Sequence, residues 1–199
     1  MPSHEPPSHE DMVFLGARRF DDRSCETCYS AATVHFVPLM VWKGLSEGAA
    51  ASLLGAFAFA NLVAHFVLGW IADRVNKPKL LAVCQLLPAL SVPPLLWDLG
   101  YWQLWFFTIV FTLLDASFPI VWATVGFFRP SPFRDGQGID EFFYMWGSFA
   151  GPVLAGAIYD RTESYRTVLW IWFSLLSFAT LLILFLIRPW TKRMKPINA

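Results

Sequence analysis

Residues 48–72 read GAAASLLGAFAFANLVAHFVLGWIA, a stretch that contains no Asp, Glu, Lys or Arg. An α-helix rises about 1.5 Å per residue, so about 20 apolar residues cross the hydrocarbon core of a bilayer, which is about 30 Å thick. This stretch is long enough to cross it. It therefore predicts a membrane-spanning helix.

Further apolar runs alternate with short charged segments along the chain. The run at residues 28–42 is the shortest, and the charged residues 18–23 upstream predict that it is a short or deformed helix. The pattern predicts an all-α membrane protein, a six-transmembrane-helix bundle over residues 28–188. A polar cytoplasmic segment, residues 1–27, precedes the bundle, and a basic cytoplasmic tail, residues 189–199, follows it. The six runs are residues 28–42, 48–72, 80–97, 101–128, 139–159 and 167–187.

The composition excludes several classes of function. Hydrophobic residues make up 56% of the chain and charged residues only 15%, whereas about a quarter of a soluble domain is charged. The net charge is zero, so no nucleic-acid partner is expected. Cys25 and Cys28 form a single C-x-x-C without a second pair or nearby histidines, which is too little to predict a metal site. The sequence also lacks a phosphate-binding loop and a nucleophile–base pair, so neither a cofactor nor an enzymatic activity is predicted.

The basic residues are unevenly divided between the two ends of the predicted helices. Because cytoplasmic loops are enriched in Lys and Arg, this asymmetry places both termini in the cytoplasm. We therefore predict a multi-pass protein of the cell membrane, the inner or plasma membrane. Twelve basic residues fall on the inside, Arg18, Arg19, Arg23, Arg74, Lys77, Lys79, Arg129, Arg134, Arg188, Lys192, Arg193 and Lys195, and three outside, Lys43, Arg161 and Arg166.

Small residues recur at nearly helical spacing in two of the runs. Such residues let two helices approach closely in a membrane. Gly55 in the second run is therefore predicted to pack against another helix, and so are Gly147, Gly151 and Gly156 of the fifth run, which also contains Pro152.

Four polar side chains lie inside the apolar runs. Asp115 is in the middle of the fourth run, where a carboxylate costs a few kcal/mol or more unless it faces a partner or water. Asn61 and His65 are four residues apart and so share one face of the second helix, and His35 lies in the first. These four residues are the predicted substrate or proton pathway. The alternative for Asp115 and His35 is a satisfied packing contact, or for His35 an interfacial position.

The loop after the second run carries a motif. It reads Gly69-Trp-Ile-Ala-Asp73-Arg74-Val-Asn-Lys77-Pro-Lys79. This resembles the cytoplasmic G-x-x-x-D-R-x-G-R-[RK] loop of the major facilitator superfamily, with Asn76 at the position of its usual second glycine and with lysines for arginines. The loop also joins the second predicted helix to the third, on the predicted inside.

The fifth run carries a second similarity. It reads Gly151-Pro152-Val-Leu-Ala155-Gly156-Ala-Ile-Tyr159-Asp160, and Ser164-Tyr165-Arg166 follows. This is similar to the GP-x-x-AG-x-x-YD…SYR segment at the eleventh of twelve helices in monocarboxylate-transporter-like members. The resemblance covers nearly all of residues 31–188, so the chain resembles the C-terminal six-helix half of such a transporter.

The resemblance implies roles for particular residues. The first and fourth helices line the substrate cavity in the family, so His35 and Asp115 are expected to face one another. The position of His65 is usually an arginine that pairs with an anionic substrate, and a titratable histidine replaces it here. Gly69, Asp73, Arg74, Lys77 and Lys79 are implied to form a cytoplasmic gate, in which Asp73 contacts the N-terminus of the fifth helix. The alternative is that these charges only set the topology.

Two functions follow from these observations. The first is a half-length secondary transporter that moves a small solute by alternating access. The solute could be an anion, and its transport would be symport driven by a gradient. It would need a second six-helix bundle, either in a homodimer or as a separate partner, within the membrane lipid. The alternative is a non-transporting, truncated relative with a structural or assembly role.

Overall fold

The computed structural model describes residues 9–97, 100–117 and 137–191, and in these ranges the chain forms helices without β-strands. The predicted all-α bundle is therefore confirmed. The α-helices are α1, His9–Val34; α2, Phe36–Trp42; α3, Glu47–Ala72; α4, Lys77–Ser91; α5, Trp102–Ala116; α6, Gln137–Thr162; and α7, Arg166–Thr191, with one 3₁₀ turn at Pro93–Leu96.

The first helix differs from its prediction. It begins at His9, so the charged residues upstream of the apolar run do not end it. Arg and Glu are good helix formers, and a helix can pass through them wherever they find water or a partner. The deformation lies instead at His35, between α1 and α2. Pro38 explains it, because its ring has no N–H to donate to the carbonyl of Val34 and clashes with that carbonyl.

Two of the described helices are long and apolar enough to cross a membrane, on length and composition alone. They are Glu47–Ala72 and the segment Lys79–Leu96. Trp102–Ala116 and Arg166–Leu182 are shorter apolar helices in the described ranges. The fourth predicted run continues beyond Ala116 into residues that the structure does not describe.

The contacts between helices fix their relative directions. A Cβ atom on Gly147 would lie 3.6 Å from the backbone oxygen of Arg23, and one on Gly156 would lie 3.5 Å from the His35 ring, so α6 runs parallel to α1. Asn61 of α3 is bonded to Asp115 of α5, and the starts of both helices line one cavity, so α3 and α5 are also parallel. The connection between α3 and α4 reverses the chain, because Cys84 of α4 packs in one cluster with Leu68 and Ala72 near the end of α3.

Two glycines of α6 lie directly on α1. A Cβ atom on Gly147 would stand 2.9 Å from Oγ1 of Thr27, and one on Gly151 would stand 3.1 Å from Oγ of Ser30 and closer still to the backbone oxygen of Thr27. Gly55 differs, because among the described residues nothing lies within 4 Å of the Cβ position that it lacks. The face around Gly151 is therefore occupied within the chain, whereas the described residues leave the face around Gly55 uncovered.

Candidate polar site between α1, α3 and α5

The polar residues of α3 and α5 lie together where these helices pack. Nδ2 of Asn61 donates a hydrogen bond to Oδ2 of Asp115 at 2.8 Å. His65, one turn further along α3, places Nε2 at 3.8 Å from the same oxygen. Three of the four residues predicted for the pathway therefore form one cluster.

Tyr29 of α1 completes this cluster, and the sequence did not reveal it. Nδ2 of Asn61 also donates to the Tyr29 hydroxyl oxygen, at 3.0 Å. An amide nitrogen has two hydrogens, so one serves Tyr29 and the other serves Asp115. Since the hydroxyl oxygen of Tyr29 accepts from Asn61, its own proton is left to donate. The only signal in the sequence was a tyrosine near the start of an apolar run, which by itself suggests an interfacial anchor.

The Asn61 side chain is held in one orientation. If its amide were flipped, Oδ1 would face the Asp115 carboxylate, and two acceptors would oppose each other. In the observed orientation Oδ1 is buried, and no side-chain or backbone donor in the described ranges bonds to it. This oxygen is therefore a buried acceptor without a donor among the described residues.

The hydrogen-bond geometry of His65 determines which protons it and Asp115 can carry together. Nδ1 of His65 lies 2.9 Å from the backbone oxygen of Asn61. A carbonyl oxygen can only accept, so Nδ1 carries a hydrogen. A neutral ring would then turn the lone pair of Nε2 toward the Asp115 carboxylate, which is unfavourable. The arrangement is favourable when a second proton is present, on Nε2 or on the carboxyl group.

This cluster is partly accessible. The side chain of His65 is 39% exposed and that of Asp115 is 30% exposed within the chain. A cavity of about 590 Å³ lies at the start of the same two helices and is lined by Ser46, Ser52, Tyr101 and Trp105, among others. Asp115 follows Trp105 by ten residues, which is about 15 Å along the helix. The α3–α5 pair therefore carries both the cavity and the cluster.

His35 lies apart from this cluster, which corrects the expected pairing with Asp115. Its Nε2 is 3.0 Å from the backbone oxygen of Pro152, and its Nδ1 is 3.0 Å from the hydroxyl of Tyr165. Because His35 follows Tyr29 by six residues, it lies about 9 Å further along the first helix. Its partners come from α6 and from the loop before α7. The histidine that meets Asp115 is His65.

The hydrogen bonds of His35 can be assigned from the chemistry of its partners. The Pro152 carbonyl only accepts, so Nε2 carries a hydrogen, and in the neutral ring Nδ1 accepts from Tyr165. Burial raises the pKa of Tyr165 to about 12, so its hydroxyl retains its proton at neutral pH. His35 thus joins the first helix to α6 and to the α6–α7 loop.

The loop with the predicted gate residues is described in part. Asp73 is the C-cap of α3 and is exposed, and the guanidinium group of Arg74 lies over the Trp70 ring at 4.0 Å. Asn76 has a φ of −66° and accepts a hydrogen bond from the Lys79 backbone N–H, so it caps α4. This conformation needs no glycine, which explains the departure from the motif.

The rest of the gate prediction lies outside the described residues. The side chain of Lys77 belongs to that part, and so do the residues that lead into α6. The expected contact between Asp73 and the N-terminus of the fifth predicted helix therefore stays a prediction. Gly69 lies on an exposed part of α3.

Comparison with known proteins agrees with the helical architecture and the loop motif. Residues 25–198 match the family model of the Major Facilitator Superfamily. The chain belongs to the major facilitator superfamily. This assignment makes it a membrane protein of the secondary-transporter class and gives no support to an enzymatic activity. No curated protein and no solved structure matches the chain.

Proposed function

We propose that this chain is one six-helix bundle of a proton-coupled secondary transporter for a small solute. The site is the cluster of Asn61, His65, Asp115 and Tyr29. The observation that carries the proposal is the convergence of His65 and Asp115 on one another across two helices. Ionisable residues within membrane segments commonly mark solute and proton pathways.

The chemistry of the cluster supports coupling to protons. The pair of His65 and Asp115 is favourable with one proton added and unfavourable without it, as the hydrogen-bond assignment indicates. A proton can therefore enter the site together with a solute and leave with it. The imidazole suits this role because each of its ring nitrogens can hold or release a proton.

The same residues suggest which solutes to test first. A protonated His65 offers a positive charge to an anion, and the buried Oδ1 of Asn61 offers an acceptor to a hydroxyl or amide hydrogen. Small hydroxylated organic anions combine both features. The similarity to monocarboxylate-transporter-like members points to the same class, but here the cation depends on pH. Recognition should therefore strengthen as the histidine becomes protonated.

The proposed gate is the loop between α3 and α4. Asp73 and Lys79 are exposed at this end of the bundle, where they are free to exchange contacts during a conformational change. Arg74 is anchored on Trp70, since Nη1 also donates to the Trp70 backbone oxygen at 2.8 Å. Gly69, Lys77 and Lys79 belong to the proposed gate by their positions in the motif.

A second six-helix bundle is the proposed partner. Large apolar side chains are exposed along α3 from Phe59 to Trp70, and Phe66 is 74% exposed. A second six-helix bundle, from another copy of this chain or from a separate chain, would cover this face. It would also enclose the partly exposed cluster beside it. Alternating access also needs two bundles that move around a site between them. The exposed residues of this face include Gly55, Phe59, Leu62, Phe66 and Trp70.

We expect purified protein with Gly55→Cys to form a cross-linked dimer, or to cross-link to a co-expressed six-helix partner. Phe185→Cys is the matched control. Phe185 is also an exposed apolar residue, at 75%, but it lies on α7 and not on the α3 face. The isolated monomer in liposomes should accumulate none of a panel of small hydroxylated anions under an imposed proton gradient. A monomer that accumulates one of them would refute the need for a partner and would support transport.

The proposed orientation places both termini in the cytoplasm. Glu47 at the start of α3 and Val75 after its end are both exposed, and they lie at opposite ends of the helix. An impermeant thiol reagent added to intact cells should label Glu47→Cys and should label Val75→Cys only after the cells are opened. Native Cys25, Cys28 and Cys84 are buried, so the background should be low. Labelling of Val75→Cys in intact cells would reverse the topology.

A further inference from the structure

Glu26 of α1 is a buried carboxyl group that the proposed site does not yet use. It is 7% exposed, and its Oε1 accepts a short hydrogen bond from the hydroxyl of Ser148 in α6. The sequence places Glu26 at the edge of the polar segment, before the first apolar run. Burial against α6 shows that it belongs to the helical bundle.

The parallel register of α1 and α6 gives the depth of Glu26. Ser148 follows the start of the fifth apolar run, at residue 139, by nine residues, which is about 14 Å along a helix. Glu26 lies beside Ser148 and therefore at a similar depth. Trp42 follows Glu26 by sixteen residues, or about 24 Å. If α6 spans a bilayer, the span of the first helix begins upstream of Cys28, near Arg23, and Glu26 lies within it.

A line of polar groups leads from Glu26 to the site, with one helical turn of α1 between Glu26 and Tyr29. Tyr29 follows Glu26 by three residues and so lies on the same face of α1, one turn away. The Tyr29 hydroxyl is bonded to Asn61, and Asn61 is bonded to Asp115. The line therefore runs from Ser148 in α6, through two residues of α1, to α3 and α5.

We propose that Glu26 is a second proton-carrying carboxyl group, which exchanges one proton with Asp115 through Tyr29. This inference rests on the proposed proton-coupled function. In the exchange, Asp115 gives its proton to the hydroxyl oxygen of Tyr29, and Tyr29 releases its own proton to the Glu26 carboxylate. Afterwards Asp115 is negative, Glu26 is neutral and Tyr29 is unchanged. The net charge of the protein stays the same.

Other charged and titratable groups around Glu26 must be considered. Arg23 and Tyr29 lie on α1 itself, Asp115 lies on α5 and His65 on α3. On the two other helices that pack against α1, the ionisable residues include Asp140 and Glu141 of α6 and Arg188 of α7. Ser148 of α6 is the residue whose hydroxyl is bonded to Glu26.

Infrared difference spectroscopy of the full chain in lipid tests this proposal without a known solute. Spectra recorded over a range of pH should show carboxyl C=O signals from two groups, the buried Glu26 and the partly exposed Asp115. Glu26→Gln should remove one signal and should move the pH midpoint of the other by about one unit, because interacting carboxyl groups titrate as a pair. Asp115→Asn should remove the other signal. Glu47→Gln, at an exposed carboxyl group, should leave both signals unchanged.

The outcomes separate this proposal from the proposed function. If Glu26→Gln leaves the spectrum unchanged while Asp115→Asn removes a signal, Glu26 is only a structural contact and the proposed site stands. If neither variant changes the spectrum, both proposals are wrong. Should Glu26→Gln fail to fold, Ser148→Ala and Glu26→Asp can be measured in its place, because both variants keep a carboxyl group at position 26. A shift of the Glu26 signal in these two variants supports the proposal, and its absence overturns it.

Discussion

Asp115→Asn is expected to abolish proton-driven solute accumulation while the protein remains folded and inserted. The amide oxygen of the new side chain can still accept from Nδ2 of Asn61, which lies 2.8 Å from the present carboxylate oxygen. The proton that His65 and Asp115 hold between them is lost, however, because an amide does not titrate. Since a single hydrogen bond contributes about 1 kcal/mol, the free energy of unfolding should change by no more than this.

The measurement uses the assembly that shows uptake, reconstituted in liposomes with a solute identified from the panel of hydroxylated anions. Accumulation under a proton gradient should fall to the background of empty liposomes. Exchange of labelled for unlabelled solute without a gradient should persist, because exchange requires no net proton movement. Asp160→Asn makes the same chemical change at an exposed position near the end of α6 and should transport normally. Normal accumulation by Asp115→Asn would make this carboxylate a structural contact only.

The sequence identified three residues of the cluster, Asn61, His65 and Asp115, by the cost of polar groups in apolar runs. Asn61 and His65 followed from their spacing of one helical turn, and Asp115 from its place within an uncharged run. What the sequence could not supply was the rotation of each helix about its own axis. That rotation decided that His65 meets Asp115 and that His35 faces Pro152 and Tyr165.

The missed residues share a different cause. Tyr29 and Glu26 lie near the boundary between the charged segment and the first apolar run, so hydropathy placed them at or outside the membrane edge. The burial of Glu26 follows from the close approach of α6, which Gly147 and Gly151 permit, whereas Tyr29 is partly buried against Phe57 and Asn61 of α3. Hydropathy measures what a segment prefers by itself. It does not register that a neighbouring helix can surround a polar residue and supply its hydrogen bonds.

The close approach of α6 to α1 also predicts a large difference between two glycines of the same chain. A methyl group on Gly151 would meet Oγ of Ser30 at 3.1 Å and the backbone oxygen of Thr27 at a still shorter distance. The backbone cannot yield as a flexible side chain would, so Gly151→Ala must push the helices apart. Overpacking of this kind destabilises proteins by about 1–3 kcal/mol, and it would also strain the contact between Glu26 and Ser148.

Gly55→Ala is the matched control, because among the described residues nothing lies within 4 Å of its Cβ position. Alanine is a better helix former than glycine by about 1 kcal/mol, so this variant should be neutral or slightly more stable in detergent. Gly151 gains the same helix propensity, so the difference in stability between the two variants measures the contact. Thermal unfolding of both variants, followed by circular dichroism, compares them directly. Equal midpoints would mean that α1 and α6 do not touch at Gly151, and the depth assigned to Glu26 would then lose its support.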